Sequence, residues 1–99
     1  LEGSPRGKKC VGMEGLIKEG DEVINSDMDE SVLDAALIAA AQRVEHYEIS
    51  AYGTARAYAQ MLGLTRTCQL LDETIHEEGK TDKTLTKLAE DFANQNAMA

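Results

Sequence analysis

Residues Gln42 to Thr54 read Gln-Arg-Val-Glu-His-Tyr-Glu-Ile-Ser-Ala-Tyr-Gly-Thr and lie in the middle of a long apolar-periodic segment. Two carboxylates three residues apart, Glu45 and Glu48, interrupt the apolar side of that segment. A carboxylate that faces a core needs a partner, because an unpaired buried charge costs several kcal/mol. The stretch therefore predicts either hydrogen-bonded salt bridges or a bound metal ion at this level of the chain.

The periodicity around this stretch predicts one long helix over residues 31–62. At about 100° per residue, nine side chains fall within about 60° of one direction. This apolar stripe consists of Leu33, Leu37, Ala40, Val44, Tyr47, Ala51, Ala55, Tyr58 and Leu62. Ser31, with Asp34 three residues on, predicts the start of the helix, and Gly63 predicts its end. A helix of this length, about 48 Å, is typical of a helical bundle.

Two further helices are predicted on either side of the long one. Residues 8–25 form a modest helix interrupted by glycines, and residues 66–93 keep one helical phase, with Thr65 or Thr67 as the cap and a bend at Gly79. Residues 1–7 contain two Gly, a Ser and the only Pro, which predicts a linker. The fold class is all-α, in a single domain over residues 1–99. Because the chain begins with Leu1 and not Met, we expect a fragment of a longer protein.

Composition narrows the class of protein. The formal net charge of -8 argues against nucleic acid or an anionic membrane as partner, since both require a basic surface. No apolar run approaches the roughly 20 residues of a membrane span, and a signal-peptide h-region is missing from the N-terminus. These features predict a soluble, cytoplasmic protein. Cys10 and Cys68 occupy apolar-periodic positions without metal-ligand spacing, so we expect reduced thiols in the core.

Acidic residues of the two long helices are predicted to meet. If the helices pack antiparallel, Glu48 lies about 15 residues before the turn and Glu78 about 14 after it, so both reach the same level. Facing carboxylates repel unless a cation or a shared proton intervenes, and carboxylate oxygens suit iron, manganese or magnesium. We therefore predict a dinuclear metal site. Its ligands are Glu45, Glu48 and Glu78, and the secondary candidates are His46, Glu77 and Asp82.

Two alternatives compete with this prediction. The acids are neutralised without metal if basic side chains pair with them, the candidates being Arg43, Arg56, Arg66 and Lys87. A literal Glu-x-x-His motif, of the kind that serves di-metal sites in four-helix bundles, occurs at Glu73 to His76. Both of its side chains fall about 150° from the centre of that helix's apolar face. We therefore predict that this motif meets water.

The matching residues run in order along most of the chain: 9–17, 34–42, 44–49, 52–54, Leu70, Leu71, Thr74, Glu77, Glu78, Thr81 and Asp82. In these positions the sequence resembles the YciE/YciF-type stress proteins, a ferritin-like family of small helical bundles. The resemblance implies a rubrerythrin-like four-helix bundle, association as a dimer, a role in the stress response and a di-iron type site. It implies Glu45, Glu48 and Glu78 as ligands, with His46 and Glu77 as secondary ones.

The sequence also departs from that family, whose members have two further helices before the position of Lys9. Those helices supply about half of the ligands, so a complete site here requires either that segment or a second copy of the chain. A homodimer that pairs the long helices would rebuild a four-helix core. Two functions follow: a ferritin-like stress protein with iron, oxygen or peroxide chemistry, or a metal-free helical dimerisation module. Nothing in the sequence selects a reaction, so the enzyme question stays open.

Overall fold

The computed structural model describes residues 10–98, and these residues form an all-α structure. Helix α1 spans Val11–Ile24, α2 spans Glu30–Met61, α3 spans Thr65–Leu88 and α4 spans Asn94–Met98. A single π-helical turn, Ala89–Ala93, joins α3 to α4. The predicted fold class, a long helix pair preceded by a shorter helix, is confirmed. The predicted linker 1–7 and the first two residues of the predicted helix 8–25 lie outside the described residues.

The helix ends differ from the predicted caps. Helix α2 begins at Glu30 with Asp29 in the cap position, so Ser31 lies inside the helix, and no side chain caps its backbone. Leu64 precedes α3 in place of a capping threonine, because Thr65 is already helical. Gly63 has a φ of 71°, a left-handed conformation that glycine adopts without the steric cost of a Cβ atom. That residue lets α3 turn back along α2.

Helix α3 continues without interruption through Gly79, the residue at which a bend was predicted. The change in helix geometry occurs later, at Ala89–Ala93. The residues after Ala93 form α4. The π turn places Ala89 and Ala93 in the small core beside Ile38 of α2, with Ala35 and Leu85 packed against them. Small side chains at these two positions allow α2 and the π turn to approach closely.

The three main helices form one flat layer with α2 in the middle. Helices α1 and α3 both pack on α2, and these two outer helices do not contact each other. The Cα atoms extend over 53 × 28 × 14 Å. Within residues 10–98 only five side chains are buried, and all are apolar: Ile38, Ala40, Ala59, Ala89 and Ala93. A single layer of helices covers the sides of α2 that face its neighbours and leaves its other faces open.

Helix α1 covers only the first half of α2. It contains 14 residues, about 21 Å of helix, against 32 residues in α2. Its start lies beside Tyr47, because the Cys10 thiol contacts the Tyr47 hydroxyl, and Glu19 further along pairs with Arg43. Among residues 10–98, the second half of α2 therefore has a neighbour only on the α3 side. None of the described helices combines the length and apolar composition that a membrane crossing requires.

Candidate metal centre

Helices α2 and α3 bring three glutamates together at their contact. Glu45 and Glu48 lie one turn apart on α2, and Glu78 faces them from α3 across the antiparallel pair. One carboxylate oxygen from each residue lies within 4.8 Å of the other two, and all three residues are half-buried. The turn at Gly63 sets this register, since it places residues before and after it at matching heights. We call these three residues the glutamate cluster.

The glutamate cluster carries more negative charge than its surroundings neutralise. Glu45 Oε2 is buried and has no hydrogen-bond partner. The pKa of Glu48 is raised, first because its carboxyl group shares a hydrogen bond with Glu78 and then because burial disfavours its charge. The pKa of Glu78 is raised by a hydrogen bond with Glu45 and by burial. In the absence of a cation, protonation of Glu48 or Glu78 would relieve the repulsion between these close like charges.

The arginines and lysines that the structure describes do not supply the missing positive charge. Arg43 forms an ion pair with Glu19 of α1, and Arg56 forms one with Asp72 of α3. Within residues 10–98 no arginine or lysine forms an ion pair with the glutamate cluster. In this part of the chain, basic side chains therefore do not neutralise the three glutamates. Hard oxygen ligands, an orphaned buried oxygen and excess negative charge fit a divalent cation such as iron, manganese or magnesium.

Two of the secondary candidates bind each other instead of joining the cluster. His46 Nε2 lies 2.8 Å from Asp82 Oδ1, and Gln42 Nε2 donates to the same oxygen at 3.3 Å and to Thr86 Oγ1 at 2.7 Å. The His46 side chain is 66% exposed, while that of Asp82 is 20% exposed. Asp82 sits one turn beyond Glu78 on α3, and this polar network directs its carboxylate towards His46. Neither residue contributes an atom to the glutamate cluster.

The remaining acidic candidates face water. Glu77 is exposed and lies outside the cluster, although its charge adds to those that raise the pKa of Glu78. Glu73 and His76 are also exposed, as their helical phase predicts, so the Glu-x-x-His match does not point into the α2–α3 contact. The helical phase places Glu45 on the flank of the apolar stripe of α2 and not at its centre. Helix α3 packs on that flank, so Glu45 joins the glutamate cluster.

A contact between Cys10 and Tyr47 was not predicted. The Cys10 thiol and the Tyr47 hydroxyl are 2.8 Å apart, and this hydrogen bond lowers the pKa of Cys10 and raises the pKa of Tyr47. Cys10 is exposed, so the prediction of a core thiol was wrong for this residue; Cys68 is half-buried, and both are free. The residue in the sequence that could have indicated this contact is Gly12, because its missing side chain makes room for the Tyr47 ring.

These features define a class: an all-helical protein that carries a carboxylate cluster between two antiparallel long helices. The chain belongs to the family described as Domain of unknown function (DUF892), whose sequence pattern matches residues 1–98. It is 55% identical over 89 residues to Protein YciF of Escherichia coli (strain K12), an alignment that covers 90% of this chain and 54% of that relative. The resemblance found in the sequence is therefore confirmed.

A solved structure gives the same result for the fold. The crystal structure of the E. coli stress protein YciF superposes with a TM-score of 0.84 at 55% identity, covering 88% of this chain and 55% of that one. The chain thus spans about half the length of the relatives that it matches. The shared part is the helical arrangement described above.

Proposed function

We propose that this chain contributes a carboxylate-rich centre for divalent metal, of the di-iron type, to a stress-associated ferritin-like protein. The observation that carries the proposal is the glutamate cluster itself. Three carboxylates from two helices lie within 4.8 Å of one another, and one of their oxygens is buried without a partner. The stress association rests on the similarity to the E. coli stress protein YciF. The two free thiols fit the reducing cytoplasm as the proposed location.

In this proposal some residues would bind the metal, and others hold helices α2 and α3 together. Glu45, Glu48 and Glu78 would hold the metal through their oxygens, and the antiparallel packing of α2 and α3 fixes their separation. The Gln42, His46 and Asp82 network beside the cluster ties α2 to α3 one turn away. Iron bound by carboxylates with open positions supplies activation of dioxygen or peroxide. The three side chains that would hold the metal are half-buried.

Metal analysis with paired variants tests the proposal. The chain is purified, loaded with Mn²⁺ or anaerobic Fe²⁺, and the metal bound per chain is measured beside the free energy of unfolding. Glu78→Gln removes one ligand and should lower the metal affinity by about 10-fold or more, which corresponds to about 1.4 kcal/mol. Glu77→Gln is the matched control, since it makes the same substitution one residue away on an exposed side chain. Equal metal content in both variants would overturn the proposal.

The alternative function is a metal-free helical module whose acids stay protonated. The raised pKa values of Glu48 and Glu78 are the observation in its favour, because shared protons also relieve the repulsion. The two functions predict opposite results for added metal. A metal that binds only the folded chain raises its stability in proportion to the logarithm of the metal concentration. The module predicts no such increase.

A further inference from the structure

A cavity lies at the end of the helix layer, where the start of α2 meets the π turn. It has a volume of about 380 Å³, and its apolar lining comes from α2, the end of α3 and the π turn: Leu37, Ile38, Leu88, Phe92 and Ala93. Two polar residues, Asp34 and Asn96, complete the lining. Ile38 and Ala93 are buried, whereas Asp34 and Asn96 are exposed, so the cavity is apolar at its depth and polar at its opening. We call it the end cavity.

Acidic side chains lie at the opening of the end cavity. Asp34 and Asn96 also line a neighbouring groove of about 420 Å³, which Glu30 and Ser31 complete. Within residues 10–98, the side chains of Glu30 and Asp34 have no ion-pair or hydrogen-bond partner. No lysine or arginine of that part of the chain lines the cavity or the groove. The opening therefore carries two acidic side chains that no described residue neutralises.

The size of the end cavity favours a small molecule over a covering helix. Its lining on α2 runs from Asp34 to Ile38, which is about 7.5 Å of helix. A helix that docks in a groove places its anchors at i, i+3, i+4 and i+7, so it needs about 10 Å or more of contact. Small-molecule sites are mostly apolar cavities of about 300–1,000 Å³ with a few polar groups, which is what the end cavity offers. The π turn that forms one wall is a rare element that often occurs at functional sites.

We propose that the end cavity binds a small organic cation, a primary amine attached to an aliphatic or aromatic body. The body lies against Leu37, Leu88 and Phe92, where burial of apolar surface favours binding. The ammonium group lies at the opening and donates hydrogen bonds to the Asp34 carboxylate. An anion of the same shape is repelled by the acidic opening. The site is separate from the glutamate cluster, because Asp34 precedes Glu45 by about 16 Å along α2.

Octylamine, which is protonated at neutral pH, is the probe, and octanoate of the same chain length is its anionic counterpart. Each is titrated into the isotope-labelled chain of 99 residues, and amide chemical shifts give both the affinity and the location. EDTA removes metal, and about 0.15 M salt screens distant charges. Octylamine should bind with a dissociation constant of about 1 mM or below, with shifts centred on residues 34–38 and 88–96. Octanoate should bind at least about 10-fold more weakly.

Two variants test the acidic opening and the apolar wall separately. Asp34→Asn removes the carboxylate and should weaken octylamine binding by about 5-fold or more. Asp27→Asn is the matched control, since Asp27 is exposed and lines neither the cavity nor the groove. It should change the affinity by less than about 2-fold. Phe92→Ala removes part of the wall and should also weaken binding by about 5-fold or more. Phe92 is 63% exposed, so the fold does not depend on it, and far-UV circular dichroism checks that all three variants remain helical.

The absence of saturable octylamine binding up to about 10 mM would overturn the proposal. Equal affinities for octylamine and octanoate would overturn it too, because the acidic opening would then play no part. Equal weakening by Asp34→Asn and Asp27→Asn would show that the amine responds only to the overall negative charge. Chemical shifts centred on another part of the chain would place the ligand outside the end cavity and would also contradict the proposal.

Discussion

Tyr47 lies directly against Gly12, and a Cβ atom added at residue 12 would come within 2.6 Å of the ring carbon Cε2. The same ring places its hydroxyl 2.8 Å from the Cys10 thiol. This contact joins the start of α1 to the middle of α2. Residues 45 and 48, on either side of Tyr47 in the sequence, face α3, so the two outer helices are held by neighbouring residues of α2.

Gly12→Ala should reduce stability by about 1 kcal/mol, because the methyl group displaces the tyrosine ring and breaks its contact with Cys10. Gly15→Ala is the control, since nothing lies within 4 Å of a Cβ atom at residue 15. That change should raise stability by about 0.5–1 kcal/mol through helix propensity alone. Urea denaturation of both variants checks the difference. Equal effects of the two substitutions would show that the ring does not pack on Gly12.

The glutamate cluster predicts how stability depends on pH in the metal-free chain. The pKa values of Glu48 and Glu78 are raised above their ordinary value of 4.5, so between 4.5 and the raised values the folded chain holds more protons than the unfolded chain. The free energy of unfolding therefore falls as pH rises through that interval. Glu48→Gln removes one of these groups, so its stability relative to the parent chain should increase as pH rises and then level off.

Denaturation in EDTA from pH 4 to 8 measures this dependence. Glu73→Gln serves as the control, because Glu73 is exposed and lies outside the glutamate cluster. Its stability curve should run parallel to that of the parent chain. Parallel curves for Glu48→Gln as well would contradict the proton sharing between Glu48 and Glu78.

Asp82 should matter for stability and not for metal binding. Its carboxylate accepts hydrogen bonds from His46 and Gln42 on α2, so Asp82→Ala should cost about 1–2 kcal/mol. His46→Ala should cost less than about 0.5 kcal/mol, since the His46 side chain is largely exposed. Thermal denaturation gives both values, and metal titration of Asp82→Ala should match the parent chain. A loss of bound metal in Asp82→Ala would show that Asp82 is a metal ligand.

The small core predicts one strong packing effect. Ile38 contacts Ala89 and Ala93 of the π turn, and Ile38→Ala should cost about 2–3 kcal/mol through lost burial and the cavity left behind. Ile24 at the end of α1 is 58% exposed, so Ile24→Ala should cost less than about 0.5 kcal/mol. Chemical denaturation compares the two. Similar losses would mean that the core does not lie where α2 meets the π turn.

Periodicity in the sequence predicted the helices to within a few residues, because an amphipathic segment records its helical phase directly. It did not predict the ends correctly at Ser31 and Thr65. Backbone groups at the surface can be satisfied by water or by the tighter last turn, so a good capping residue nearby need not be used. The π turn was missed for a related reason: it is a response to packing of Ala89 and Ala93 on α2, and neither residue has a local preference for it.

The glutamates were predicted as a group because their spacing on α2 and their distance from the turn are properties of the chain itself. Which acids converge was decided by the rotation of α3 against α2. That rotation brought Glu45 into the cluster, turned Asp82 towards His46 and left Glu77 in water. A helix's sequence fixes the angles between its own side chains, and only packing against a neighbour fixes the direction in which the whole set points.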